Sequence, residues 1–208
     1  MSATDRFPPS GWQRLELLAV VVGIQMLDHL VVDNLAGSGV LSAGARSAIA
    51  TFESVGGLLL LLLGIAAVVS TFGSRRRLSV WAVVVYLSLA LVHLIVNLSA
   101  ILLTAHTRRG QPLLALWDVI SVYFMAIFVF AAWYWFLDKT IPGGSFNIPG
   151  ERPRTIIDYL FLSFNTSSTY GPTIEIPTTQ GAKVLMMLQV SSSLLMLTVL
   201  LTRAISAG

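Results

Sequence analysis

Five runs of apolar residues, each about twenty long, divide the chain, and short polar breaks separate them. They are Trp12 to Val32, Ile49 to Phe72, Val80 to Leu103, Leu113 to Phe136 and Ala182 to Leu201. A helix rising 1.5 Å per residue needs about 20 such residues to cross ~30 Å of hydrocarbon. Each run is therefore expected to be a transmembrane helix. Glycine, proline or arginine closes each one: Gly37 and Gly39, then Gly73 to Arg77, then Thr107 to Pro112, then Asp138 to Gly144. Trp133, Tyr134 and Trp135 sit near the end of the fourth run, as interfacial aromatics do.

The stretch from Asp138 to Gly181 breaks the pattern. Thr155, with Pro153 before it, reads as the cap of a short helix. "TIIDYLFLSFNTSS" then gives a helix of roughly 20 Å, too short to cross. It is apolar nearly all round, from Tyr159 through Phe164, so it is expected to be buried among other helices. "TYGPT" stops it, because Gly171 admits positive φ and Pro172 cannot continue a helix. Non-helical backbone at membrane depth survives only when packed in protein or lining a wet cavity. The residues thus read as a re-entrant half-helix and an extended segment between two spanning helices.

Composition agrees with a membrane chain. Of 208 residues, 55% are hydrophobic and 11% charged, with mean hydropathy +0.80, against about 25% charged in soluble domains. The net charge of +3 comes from scattered arginines, which suggests membrane topology and not nucleic-acid binding. There is no cysteine, hence no disulfide and no thiolate metal site. "MSATDRFPPSGW" lacks the order of a signal peptide, so the first helix is expected to be retained. No nucleophile–base pair, metal motif or phosphate loop appears, so an enzyme is not expected and no cofactor is implied. No internal repeat supports an inverted-repeat transporter. The spanning runs hold almost no internal arginine, which excludes an arginine-ladder voltage sensor. Gating by a C-terminal ligand-binding domain is not expected.

Helix, half-helix, extended loop and helix is also the plan of the potassium-channel-like pore domain, whose motif runs S-F-x-T-x-T-T-V-G-Y-G-D. Ser163 to Ile174 align with it without a gap and match at Ser163, Phe164, Thr166, Thr169 and Gly171. Leu113 to Arg203 therefore resembles that superfamily of tetrameric cation channels. The whole chain also resembles uncharacterised small bacterial membrane proteins with a channel-like C-terminal half. The resemblance implies an all-α integral membrane protein, in a bacterial inner membrane, with about five transmembrane helices plus a pore half-helix, assembled as a homotetramer. The apolar runs divide the rest into a tail at 1–11 and a three-helix region at 12–104, and the resemblance implies a pore domain at 113–205. Within that domain, 113–137 is the outer helix, 155–168 the pore helix, 169–175 the filter-like loop and 181–203 the inner helix.

The same resemblance makes Thr169, Tyr170, Gly171, Pro172 and Thr173 the filter, with the transported ion potassium or sodium, or calcium. A filter presents successive backbone carbonyls to the ion. Here the motif's Tyr, second Gly and Asp are Pro172, Thr173 and Ile174. Thr173 is β-branched and strained at positive φ, and Pro172 has fixed φ and no N–H. Fewer in-line sites and relaxed potassium selectivity are expected. Thr166, Ser167 and Ser168 place hydroxyls at the half-helix's carboxyl end, where the dipole favours a cation. Glu175 is expected at the pore mouth as a ring of four carboxylates.

Other polar positions carry alternatives. Gln189, Ser192, Ser193 and Met196 either line a water-filled cavity or join helices by small-residue packing and hydrogen bonds. Asp28, His29 and Asp33 on the first helix, with His93 and Asn97 on the third, form a possible intramembrane polar cluster. It reads as an interhelical clamp, a pH-sensing pair or, through Asp28, His29 and His93, the proton-coupling site of a small transporter; its spacing fits no metal motif. Asp118 is expected to cap the fourth helix. The rival to a channel is a non-conducting scaffold or accessory subunit with a vestigial pore loop. Sidedness is in conflict: five crossings put nine Lys and Arg on one side and four on the other. The positive-inside rule makes the richer side cytoplasmic, opposite to the usual channel orientation.

Overall fold

A computed structural model describes residues 11–37, 43–70, 76–104, 112–149, 154–169 and 175–206. It is 89% helical. The helices are α1 (Gly11–Gly37), α2 (Ala43–Ser70), α3 (Arg76–Thr104), α4 (Pro112–Thr140), α5 (Ile156–Thr169) and α6 (Gln180–Ser206). Two residue pairs form the antiparallel ribbon of β1 (Phe146–Asn147) and β2 (Ile176–Pro177).

Four helices are long and apolar enough to cross a membrane, over Arg14–Asn34, Val80–Leu102, Leu116–Thr140 and Gln180–Leu201. The expected span from Ile49 to Phe72 falls in α2, whose apolar part among the described residues, Val55–Ser70, is shorter. α4 is the hub. The share of its spanning segment buried inside the protein is 72%, against 33–39% for the other three. Val122, Met125, Val129 and Phe130 are buried on it, and Ala126, Ala131 and Ala132 let neighbours approach closely. α1, α3, α5 and α6 all pack against α4. At Gly64 on α2 a Cβ would lie 2.7 Å from Val21 and 3.0 Å from Tyr86, so α1, α2 and α3 meet where only glycine fits.

After α4 the chain turns through Gly143 and Gly144, both at positive φ (86° and 81°), a region that costs glycine nothing. β1 follows, and its Phe146 and Asn147 lie opposite Pro177 and Ile176. The ribbon thus joins the segment before α5 to the segment after it. The chain leaves for α5 and comes back at one place, beside the end of α4 and the start of α6.

Candidate functional site

α5 is fixed at its start by carboxylates. Asp158 Oδ2 accepts from the backbone N of Thr155 (2.8 Å) and from its hydroxyl (3.1 Å), so the Asp of a Thr-x-x-Asp sequence reaches back over the helix start, one half of a capping box. Glu16 of α1 accepts from the Ile156 N–H at 3.1 Å, so a second helix supplies the negative charge that an N-terminus favours.

Asp138, buried at the end of α4, holds the approach to α5. Its Oδ1 accepts from the backbone N of Ser145 (2.7 Å) and Phe146 (3.0 Å). Its Oδ2 accepts from Arg154 Nη1 (2.8 Å) and the Tyr159 hydroxyl (2.6 Å). Arg154 also donates to the Phe146 carbonyl at 3.0 Å. Burial disfavours the Arg154 charge, but the hydrogen bond and attraction to Asp138 outweigh it and hold the guanidinium above its ordinary range. Sequence reasoning missed this clamp and the Glu16 contact. Local spacing gives no sign of partners 16, 21 or 140 residues apart.

The carboxyl half of α5 is pinned by one buried amide. Gln189 Nε2 of α6 donates to Ser163 O (2.8 Å), Ser163 Oγ (2.8 Å) and Ser167 Oγ (2.7 Å). Tyr134 of α4 donates its hydroxyl to Gln189 Oε1, and Ser163 Oγ donates to Ile127 O at 2.9 Å. Three helices therefore meet at Gln189. Tyr134 is a member that the sequence suggested only as an interfacial aromatic.

Thr166 and Ser167 are buried, and Thr166 donates to Leu162 O at 2.8 Å; Ser168 is exposed and donates to Phe164 O at 2.9 Å. Thr169 ends α5. Tyr170, Gly171, Pro172 and Thr173 lie outside the described residues, as does the side chain of Thr169. Glu175, just beyond, is 6% exposed, and its Oε2 has no hydrogen-bond partner among the described residues. It is enclosed by the chain's own residues. Gln189, Ser193 and Met196 are buried on the α6 face turned toward α4 and α5, and Ser192 is half-buried with its hydroxyl on Leu188 O.

The polar positions of α1 and α3 separate into two groups. Asp28, His93 and Asn97 are buried together: Asp28 Oδ2 lies 3.2 Å from His93 Nδ1, and Asn97 Nδ2 donates to Asp28 Oδ1 at 2.6 Å. Asn97 also reaches Met125 Sδ of α4 at 3.8 Å. Gln25 lies beside Tyr86 in the same region. His29 and Asp33 pair at 3.3 Å on the outer face, with side chains 72% and 65% exposed. The expected cap Asp118 is fully buried inside α4, which begins six residues earlier at Pro112, so it does not lie in the helix's first turn. Among the described residues no group of three His, Cys, Asp or Glu is placed to hold a metal.

No protein-family model matches the chain, and no curated protein and no solved structure matches it.

Proposed function

We propose that this chain is one protomer of a cation channel in a bacterial inner membrane. α4 and α6 act as outer and inner helices, and α5 as a re-entrant pore helix. One observation carries the reading. α5, about 20 Å long, is held between two antiparallel helices of membrane length, and β1–β2 pairs the segment that leads to it with the segment that follows it. A segment built this way enters a bilayer from one side without crossing it, and protein covers its irregular backbone. Its carboxyl end carries the negative dipole and the hydroxyls of Thr166, Ser167 and Ser168, which favour a cation beside the loop from Thr169 to Thr173.

One protomer supplies only part of a ring, so the channel is a homotetramer. Exposed Ile157, Phe161 and Phe164 on α5, with Val184, Met187 and Leu188 on α6, are the apolar surface a second copy would cover. Conduction is of monovalent cations with relaxed selectivity, because Pro172 and Thr173 interrupt a run of in-line carbonyls.

Flux from liposomes under potassium, sodium and calcium gradients tests this reading, with Gly171→Val as the control. Wild type is expected to conduct and the variant to be silent while still assembling, since valine is strained at positive φ. Normal flux through Gly171→Val would remove this loop as the pathway.

A second reading, the non-conducting scaffold, is favoured by α6. Its polar residues Gln189 and Ser193 face the protomer's own helices, and the outward face is largely leucine, valine and methionine. It requires no flux from a folded, assembled wild type.

A further inference from the structure

Beside the carboxyl end of α5, between the first part of α4 and the second half of α6, lies a cavity of about 300 Å³. Its walls are apolar: Val119 and Phe124 from α4, Met196 and Leu197 from α6. Its polar lining is Ser167, Ser168 and Ser193, with Tyr123. Ser167 and Ser193 are each 4% exposed. Ser167 Oγ accepts from Gln189 at 2.7 Å, and its own proton has no acceptor among the described residues. Ser193 Oγ makes no hydrogen bond with any of them. The neighbouring Ser168 differs, since its proton is committed to Phe164 O.

Two buried serine hydroxyls with protons to donate, in the lining of a mainly apolar space, define a ligand by its chemistry. We propose that this cavity binds a small neutral amphiphile whose single acceptor oxygen (carbonyl, ester or ether) is received by Ser167 and Ser193. No charged side chain lines the cavity, so an ion has no partner there. The volume lies at the small end of the ~300–1,000 Å³ typical of ligand pockets. Water would satisfy the hydroxyls but leave apolar walls around a space about ten times one water's ~30 Å³ share. Ser193 stands eight residues from the end of the spanning segment at Leu201, about 12 Å along the helix. That depth suits a free amphiphile better than the ester of a lipid anchored at the interface. The occupant would touch the last turn of α5 and wedge α4 from α6. The site stands on its own geometry, whether or not the chain conducts.

The test is photolabelling of the full chain in nanodiscs with a diazirine-bearing medium-chain aliphatic ketone, mapped by peptide mass spectrometry. Saturable adducts on Val119–Phe124 and Ser193–Leu197 are expected, displaced by excess unlabelled ketone and less by an alkane of equal length. Ser193→Ala is expected to weaken labelling about fivefold, the worth of one hydrogen bond, and Ser193→Thr to retain it. Leu197→Trp, which fills the cavity from its exposed edge, is expected to abolish it. Displacement by short-chain diacyl lipid as well would make a lipid ester the natural source; displacement by ketone alone would make it a free amphiphile. Labelling that does not saturate, that spreads evenly over the exposed Val184 and Met187, or that is equal in wild type and Ser193→Ala overturns the site.

Discussion

Asp138 accepts four hydrogen bonds and faces one guanidinium, so both oxygens are fully used inside the protein. Asp138→Ala leaves Arg154 without its carboxylate and two backbone N–H groups without an acceptor. Breaking one partner of a buried pair costs about 3–5 kcal/mol. A correspondingly lower thermal midpoint in detergent is expected, with Arg154→Met milder because its side chain is part-exposed. Gln189 is the second residue of this kind. Gln189→Leu removes partners from Ser163, Ser167 and Tyr134 together, and each buried group left unpaired costs about 1–3 kcal/mol. A double-mutant cycle with Ser163→Ala is expected to be strongly non-additive; simple addition would show that the amide and the serine do not act as a unit.

At the scale of elements, the ends of α5 were legible in the sequence and the faces of the long helices were not. Thr155 and Asp158 are three residues apart, and Gly171 and Pro172 are neighbours, so start and stop signals are local. The structure gives Ile156–Thr169 against an expected 155–168. A soluble helix reveals its buried side by an apolar stripe. A membrane helix is apolar on both sides, because lipid tails are as apolar as leucine and do not force sorting by face. Hence Asp28 and His29, adjacent in sequence, read as one cluster but point apart, one to His93 and Asn97 and the other outward. The same blindness hid that Gln189 and Ser193 turn toward α4 and α5. α5 also depends on α1. Glu16→Ala is expected to raise hydrogen exchange at Ile156 and the next residues, at a cost near the ~1 kcal/mol of a lost cap, and to leave the middle of α4 unchanged. Unchanged exchange at Ile156 would mean that Thr155 and Asp158 suffice.

For the whole molecule, sidedness is the open contest between charge and channel orientation. Lys139, Arg154 and Lys183 all lie at the end where α4 stops and α6 starts. The proposed channel puts that end outside, and the positive-inside rule puts it in the cytoplasm. Lys183 is exposed there, so Lys183→Cys in a chain without other cysteines reports directly. Labelling by an impermeant maleimide on intact spheroplasts is expected if the pore has its usual orientation. Protection until the cells are lysed would invert it.

α4 has nearly three quarters of its spanning segment covered by its own protomer, and α6 one third. Membrane thickness acts on a helix through its lipid-facing surface, at fractions of a kcal/mol per ångström of mismatch. In a bilayer α1 and α3 would insulate α4 from tension and lipid composition, as a sleeve does a shaft. Of the two long helices that hold α5, α6 leaves the larger face uncovered by its own chain, so a neighbouring copy, or lipid where no copy sits, would act on the half-helix by way of α6 and Gln189.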